Sequence, residues 1–302
     1  MDSARDRHTG EIIDAEMLWD MEEVDRDAYE CSGCRVQVFP ASFKKDVNKR
    51  RPYFRLGDNK HVKPCGIDGV EKLVQKAKKE RVGRPDGFPV PYPTKLLLSD
   101  TRPVTTGTGT EAGGATGVSV KSRAPSTRDD GYHGHTVRTI RPVYRIFMEY
   151  PHDRDQLDIE IPGCPGSTYS TVFSKLDFQG IRPHPASTRL FYAALRWGSP
   201  TETDEYIEWL LDAGTWAAGA KRPEAFYRAR IQWSGWTERQ RTTLRHELEI
   251  ARNDVKGKTD QPEKAWLFFV GRQDSSDPSL LVVDRYQLVC CRVGEMIWPK
   301  RR

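Results

Sequence analysis

The chain has 302 residues, 37% of them hydrophobic, a formal charge of +5 and a mean hydropathy of -0.70. That length suits two domains at roughly 100–200 residues each, and the polarity implies a modest core. No run approaches the ~20 apolar residues of a membrane span, and M-D-S-A-R-D-R-H-T-G lacks the apolar core of a signal peptide. A cytoplasmic protein with no membrane partner is expected.

Charge is segregated along the first third. Residues 1–30 carry 11 acidic and 3 basic side chains, whereas residues 31–90 carry 15 basic and 6 acidic ones. The basic stretch suits a polyanion, with the acidic leader folded beside it or competing for it. It suits equally well two solvated faces that pair with each other. Within the leader, H-T-G-E-I-I-D-A reads as a short extended stretch after a glycine turn.

The strongest signal spans 29–65. Cys31 and Cys34 form a C-x2-C knuckle, and His61 with Cys65 forms an H-x3-C pair. Each spacing lets one tight turn present two ligands to one metal. Three thiolates and an imidazole close a tetrahedral site of the structural Zn2+ kind. Of the six cysteines, Cys164, Cys290 and Cys291 remain, a pattern that suits a reducing compartment better than a disulfide framework.

Between the ligand pairs, residues 35–39 alternate in the manner of a zinc-ribbon strand. Lys44, Lys45, Lys49, Arg50 and Arg51 then lead into Pro52, Tyr53, Phe54 and Arg55. Cations interleaved with aromatics fit a surface that tracks a nucleic-acid backbone and stacks bases. They fit as well a loop packing two aromatics over the metal site. After Cys65, Asp68 and Glu71 give a capping pattern to a helix with Val70, Leu73, Val74 and Ala77 on its apolar face. Lys72, Lys76 and Lys79 share another face.

Residues 91–136 are rich in Pro, Gly and Thr, and 102–136 in particular are too poor in apolar side chains to offset ordering entropy, so the segment reads as a flexible linker. His133 and His135 at its end fit a mobile linker terminus better than a metal pair. The expected division is a zinc-ribbon-like domain at 1–90, the linker at 91–136 and an α+β or barrel-like domain at 137–302.

In the last domain, V-Y-R-I-F-M-E-Y (143–150) and L-D-I-E-I (157–161) read as strands. Arg189 opens a further strand that ends near Trp197. Residues 199–214 read as the best-marked helix, with Ser199 as cap, Pro200 at its first position, Glu202 completing a capping box and Gly214 as stop. Ile207, Leu210 and Leu211 form its expected buried stripe. A strand at 226–233 places Phe226, Arg228, Arg230 and Gln232 opposite Tyr227, Ala229, Ile231 and Trp233. Thr237 and Gln240 cap a second helix carrying Leu244 and Leu248, and two more strands close the domain.

The sum is a mixed, β-rich α+β domain with two inserted helices, open to an oligonucleotide-binding-type barrel. The arginines and aromatics Tyr192, Arg196, Trp197, Arg228 and Arg230 lie on its strand segments. They are the candidate base-stacking and phosphate-contacting residues, with core packing as the competing role of the aromatics.

No hydrolase signature occurs. Glu149, Asp155, Asp158 and Glu160 cluster in sequence, but no lysine follows at the spacing of a common nuclease signature. The turn at 161–170 lacks the lysine of a phosphate loop.

Residues 8–80 or so resemble the N-terminal zinc-finger region of the competence protein CoiA-like family. The likeness rests on Cys31 and Cys34, the basic stretch 44–51, Pro52-Tyr53-Phe54, and His61 with Cys65. Tyr53 and Leu56 stand where family members carry histidine. The resemblance implies a bacterial or phage setting concerned with DNA uptake or mobile DNA, and it carries no activity. The expectation is a non-enzymatic zinc protein that binds nucleic acid. A protein-interaction subunit of a phage-defence or mobile-element complex is the alternative, and a divalent-metal nuclease using Asp158 and Glu160 a more distant one.

Overall fold

The leader folds first into a small sheet. Strand β1 (Ser3–Asp6) pairs antiparallel with β2 (Ile12–Asp14) on one edge and with β3 (Tyr29–Glu30) on the other. Next, β4 (Phe39–Ala41) and β5 (Tyr53–Arg55) form an antiparallel pair. Ile13, Leu18, Tyr29, Val38 and Phe54 pack together beneath these strands as a core of their own.

Helix α1 (Val70–Ala77) forms where the sequence places it, but Gly69 in a left-handed conformation is its N-cap and no side chain caps it. The Asp68–Glu71 box therefore does not form. Strand β6 (Pro93–Leu96) runs parallel to β7 (His135–Val137), so both ends of the expected linker are paired to each other. This computed structural model describes the chain apart from residues 45–46, 49, 64, 85–86, 99–133, 185–186, 217–218, 220–222, 258–260 and 300–302. The central part of the expected linker, with His133, lies outside the described residues.

Residues 140–149 are helical, not extended: α2 (Ile140–Glu149) buries Ile140, Val143, Tyr144 and Phe147. Those positions repeat at i, i+3, i+4 and i+7, the period of a helix face, and the strand expected here is overturned. Residues 157–161 do alternate in burial but meet their neighbours only through the single bridges Asp158–Thr168 and Lys95–Glu160. A helical turn, α3 (Tyr169–Val172), leads into β8 (Phe173–Lys175), which runs parallel to β9 (Arg189–Ala194).

The second correction falls at 199–214. Strands β10 (Thr201–Glu202) and β11 (Tyr206–Thr215) form an antiparallel hairpin there. The Thr203 hydroxyl accepts the N–H groups of Glu205 and Tyr206, so the residue just after the apparent helix-start signature makes the turn instead. Ile207, Trp209, Leu211 and Ala213 alternate inward with period two, while Leu210 points outward and is 40% exposed. Trp209 and the β-branched Ile207 favour a pleated surface, and tertiary pairing with β12 (Ala225–Gln232) decides the matter. At Gly214 the register shifts, and a Cβ there would lie 2.0 Å from the Ala225 carbonyl oxygen.

Helix α4 (Glu238–Val255) begins at the expected capping box, with the Gln240 N–H donated to Thr237 Oγ1 and Gln240 Oε1 accepting the Thr237 N–H. Strand β13 (Glu263–Gln273) follows. The closing segment read as one strand is two, β14 (Leu280–Val283) and β15 (Val289–Glu295), separated by a 3-10 turn at Tyr286–Leu288.

The large sheet has the order β10-β11-β12-β14-β13-β9-β8, with β15 also on β13. β12 and β14 are parallel, and β9 touches β11 through one bridge, Leu195–Leu211. The ladder is not continuous there, so no sheet closes into a barrel. The fold is mixed α+β.

Along β13, Leu267 and Phe269 face one core together with Trp209, Ile231 and Leu248, while Trp266, Phe268 and Val270 face the other with Tyr144 and Phe147. A strand covered on both faces reads as a continuous apolar run, and W-L-F-F-V is such a run. Helix α2 covers one side and α4 the other.

The leader docks on this body. Arg145 of α2 lies 3.4 to 3.9 Å from Asp2, Asp14 and Glu16, and Arg292 lies 3.6 and 3.8 Å from Asp2 and Glu16. Arg239 donates to the Trp19 carbonyl (3.0 Å), and the Thr243 hydroxyl donates to Asp20 (2.8 Å). The acidic leader thus finds cations on α2 and β15 as well as in Arg35 and Arg51 of the basic segment.

Candidate metal centre and nucleic-acid surface

The knuckle is a tight turn with a left-handed residue. Cys31 donates its N–H to the Val36 carbonyl (2.7 Å), Arg35 donates to the Cys31 carbonyl (3.0 Å), and Arg35 carries φ 63°. A Cβ on Gly33 would come within 3.0 Å of Cys65 Sγ, so the turn lies flush against the second ligand pair. That pair stands at the entry to α1, where Asp68 donates to the Cys65 carbonyl (3.2 Å).

Cys31 Sγ lies 3.8 Å from Cys65 Sγ, and His61 Nδ1 lies 3.3 Å from Cys34 Sγ and 3.4 Å from Cys65 Sγ. All four ligand atoms fall within 4.8 Å of one another. A tetrahedral centre with metal–sulfur bonds of about 2.3 Å and metal–nitrogen bonds of about 2.0 Å needs edges of about 3.8 and 3.5 Å. The donor set fits a bound metal ion as it stands. It is the one such group of His, Cys and acidic side chains among the described residues.

The thiols are not equivalent. Burial pushes Cys31 up to about 11. Burial also opposes ionisation of Cys34, but the hydrogen bond with His61 and the N–H groups of Val36 and Val62 outweigh it and bring the thiol down to about 6. Metal ligation requires thiolates, and Cys34 would give up its proton more readily than Cys31. Glu149, Asp155, Asp158 and Glu160 form no comparable group: Asp155 pairs with Arg81 and Glu160 with Lys95.

The candidate nucleic-acid residues are dispersed. Lys44, Arg50, Tyr53 and Arg55 are exposed around β4 and β5, whereas Lys45 and Lys49 lie outside the described residues. Arg51 turns inward: its Nη2 donates to the Cys291 carbonyl (2.8 Å), and its Nη1 lies 3.8 Å from Glu247. Phe54 is 1% exposed and packs on Tyr29, and Tyr192 is 3% exposed between Phe147, Phe173 and Phe268. Neither ring has a free face for a base, which removes both from the candidate set.

Arg196, Arg228 and Arg230 lie along β11 and β12, with Trp197 exposed in the loop that follows β9. The Arg196 guanidinium lies 3.7 Å over the Phe226 ring, and Arg230 lies 4.4 Å over Tyr206. Phe226 continues through Phe178 to Trp216, with ring centroids 6.3 and 6.0 Å apart. Trp197 and Trp216 are 54% and 45% exposed. Arg228 and Arg230 both bond Glu208, and Arg228 also reaches Asp277. Alternation in the sequence places Phe226 on the arginine face but does not reveal Phe178 and Trp216, which meet it from outside β12.

No protein-family model, curated protein or solved structure matches the chain. Among the described residues, no helix is long and apolar enough to cross a membrane.

Proposed function

We propose that the protein is a zinc-containing, nucleic-acid-binding protein that takes single strands on the outer face of β11 and β12. The observation that carries this reading is the aromatic and arginine layer of that face, set on a characteristic strand order. Strand β9, the β10–β11 hairpin, β12, helix α4, then β13 and β14 follow one another in sequence, with β12 parallel to β14 and the end of β9 bridged to β11. That succession is the one expected of an oligonucleotide-binding barrel. In such barrels the second and third strands and the loops flanking them hold the ligand, and here those strands are β11 and β12. The loop with Trp197 and the loop with Asp277 stand at its two sides.

Cys31, Cys34, His61 and Cys65 hold Zn2+ in this reading. Three thiolates with one imidazole in tetrahedral disposition favour zinc, and four protein ligands leave no open position for a substrate. The ion ties the knuckle to the start of α1 and has a structural role. The resemblance of this segment to the CoiA-like zinc finger supports a bacterial or phage setting concerned with mobile DNA.

The test is fluorescence titration of the full chain with oligo-dT and with single-stranded RNA across a salt series. Trp197 and Trp216 should be quenched on binding. Three phosphate contacts would give a log–log salt slope of about -2. Removal of both tryptophans should cost roughly 1–3 kcal/mol per base stacked. An absence of saturable binding at low salt would refute the reading. The ion pairs of Arg228 and Arg230 with Glu208 and Asp277 leave this face nearly charge-balanced, and that specific feature favours a protein-binding face as the second reading.

A further inference from the structure

A cavity of about 470 Å³ lies in the seam between the leader, α1 and α2. Its walls are largely apolar and include Ile12, Met17, Val70, Val90, Val137 and Ile146. A pocket of this size with mostly apolar walls and a few convergent polar groups is the usual form of a small-molecule site.

The polar groups at this cavity are incompletely satisfied. Glu149, at the last turn of α2, has no hydrogen bond or ion pair with any described residue, although it lines the cavity. The Tyr150 hydroxyl is buried in the same wall and has no hydrogen-bond partner. Asp14 is held only at length, by the Thr139 hydroxyl and Arg145, each at 3.4 Å.

Asp2, Asp14, Glu16 and Glu247 each touch at least one of Arg51, Arg141, Arg145 and Arg292. Glu149 touches none of these four, and Glu11, His135 and Arg138 also line the cavity. A carboxylate left alone against apolar walls is costly unless a partner arrives. Burial accordingly pushes Glu149 up to about 7, although Arg145, Arg292 and Lys78 pull it down.

We propose that this cavity is a binding site for a small apolar molecule bearing one cationic N–H donor group, of the amidine or amine class. The apolar body fills the space between Val70, Val137 and Ile146, and the donor group bonds the Glu149 carboxylate. The buried Tyr150 hydroxyl gains a partner from the same ligand. The site is separate from the β11–β12 face, so it stands whether or not nucleic acid binds there.

Benzamidine is the probe, because its ring matches the walls and its amidinium matches a carboxylate bidentately. Benzoate, of the same shape and opposite charge, is the control. Calorimetric titration of the full chain should show benzamidine binding once per chain in the millimolar range, with benzoate much weaker. Glu149→Gln should weaken benzamidine about tenfold or more, the loss of a charge-assisted bond. Val70→Phe, which fills the cavity and leaves Glu149 in place, should abolish binding. Three results overturn the proposal: no saturable benzamidine binding, equal affinity in Glu149→Gln, or benzoate binding as tightly as benzamidine.

Discussion

Glu247→Ala should be among the most destabilising single substitutions in this chain. Glu247 is fully buried on α4 and accepts two bonds from Arg141, at 2.9 and 2.6 Å, and one from the Cys291 N–H at 2.9 Å. Arg51 of the zinc-bearing segment stands 3.8 Å away. Burial opposes the charge on Glu247, but Arg141 outweighs it and holds the carboxyl below its ordinary range. Alanine strands Arg141, 5% exposed, with no counter-charge, and leaves the Cys291 N–H without an acceptor. Breaking a buried pair from one side costs about 3–5 kcal/mol, and the orphaned N–H about 1 more. With a urea slope of ~3 kcal/mol/M, the unfolding midpoint should fall by more than ~1 M. Tryptophan fluorescence in a urea series reads this directly. The double substitution Arg141→Met with Glu247→Leu removes both charges and should recover most of the loss. A Glu247→Ala midpoint within ~0.3 M of the parent would refute the reasoning, as would a double variant no better than the single.

The metal centre predicts one tightly held zinc per chain by elemental analysis, and near zero for Cys34→Ser. Chelation should raise amide exchange at Cys31 and Val38, whose N–H groups close the knuckle, while the β9–β13 ladder stays protected. Gly214→Ala puts a Cβ 2.0 Å from the Ala225 oxygen, whereas Gly198→Ala meets nothing within 4 Å. Thermal unfolding should therefore show a loss of about 1–3 kcal/mol or more for the first and within about 0.5 kcal/mol for the second. Glu149 and Asp14 have pKa values raised by burial to about 7 and about 6. A carboxyl raised in the folded state binds more protons there than in the unfolded chain. It stabilises the fold at acid pH, and that contribution is lost as pH rises through the folded value. The stability of Glu149→Gln relative to the parent should hence grow between about pH 4.5 and 7, by at most about 3 kcal/mol; a pH-independent difference in urea midpoints would count against it.

The parts of the fold that were legible in sequence are those fixed by neighbours. The ligand pairs Cys31/Cys34 and His61/Cys65 each sit within one turn, so spacing alone reveals them. The box at Thr237 and Gln240 likewise closes over three residues, and α4 starts there as read. Residues 199–202 show the limit of such signals. S-P-T-E meets every local condition for a helix start, yet Thr203 turns the chain and β11 pairs with β12, because period-two burial of Ile207, Trp209 and Leu211 gains more than a helix stripe. Helix α2 failed in the opposite direction. Its β-branched and aromatic residues suggested a strand, while their i, i+3, i+4, i+7 spacing was that of a helix face.

Charge was the least legible feature, because composition counts neighbours along the chain and folding pairs neighbours in space. The acidic leader and the basic segment after it suggested a polyanion site or mutual pairing. Mutual pairing does occur, Arg35 with Glu30 and Arg51 with Glu16, but Asp2, Asp14 and Glu16 also meet Arg145 and Arg292, far along the chain, and Arg51 bonds the Cys291 carbonyl. The positive charge open to a polyanion near the metal centre is thus smaller than residues 31–90 suggest. Arg51 and Phe54 are withdrawn from it, and Lys44, Arg50 and Arg55 remain exposed. In the reading proposed above, the weight of recognition then falls on the β11–β12 face, where Arg196 lies over Phe226 and Phe226 continues through Phe178 to Trp216. Substitution there should affect binding more than substitution of Lys44 or Arg55, and the reverse order would return recognition to the zinc segment.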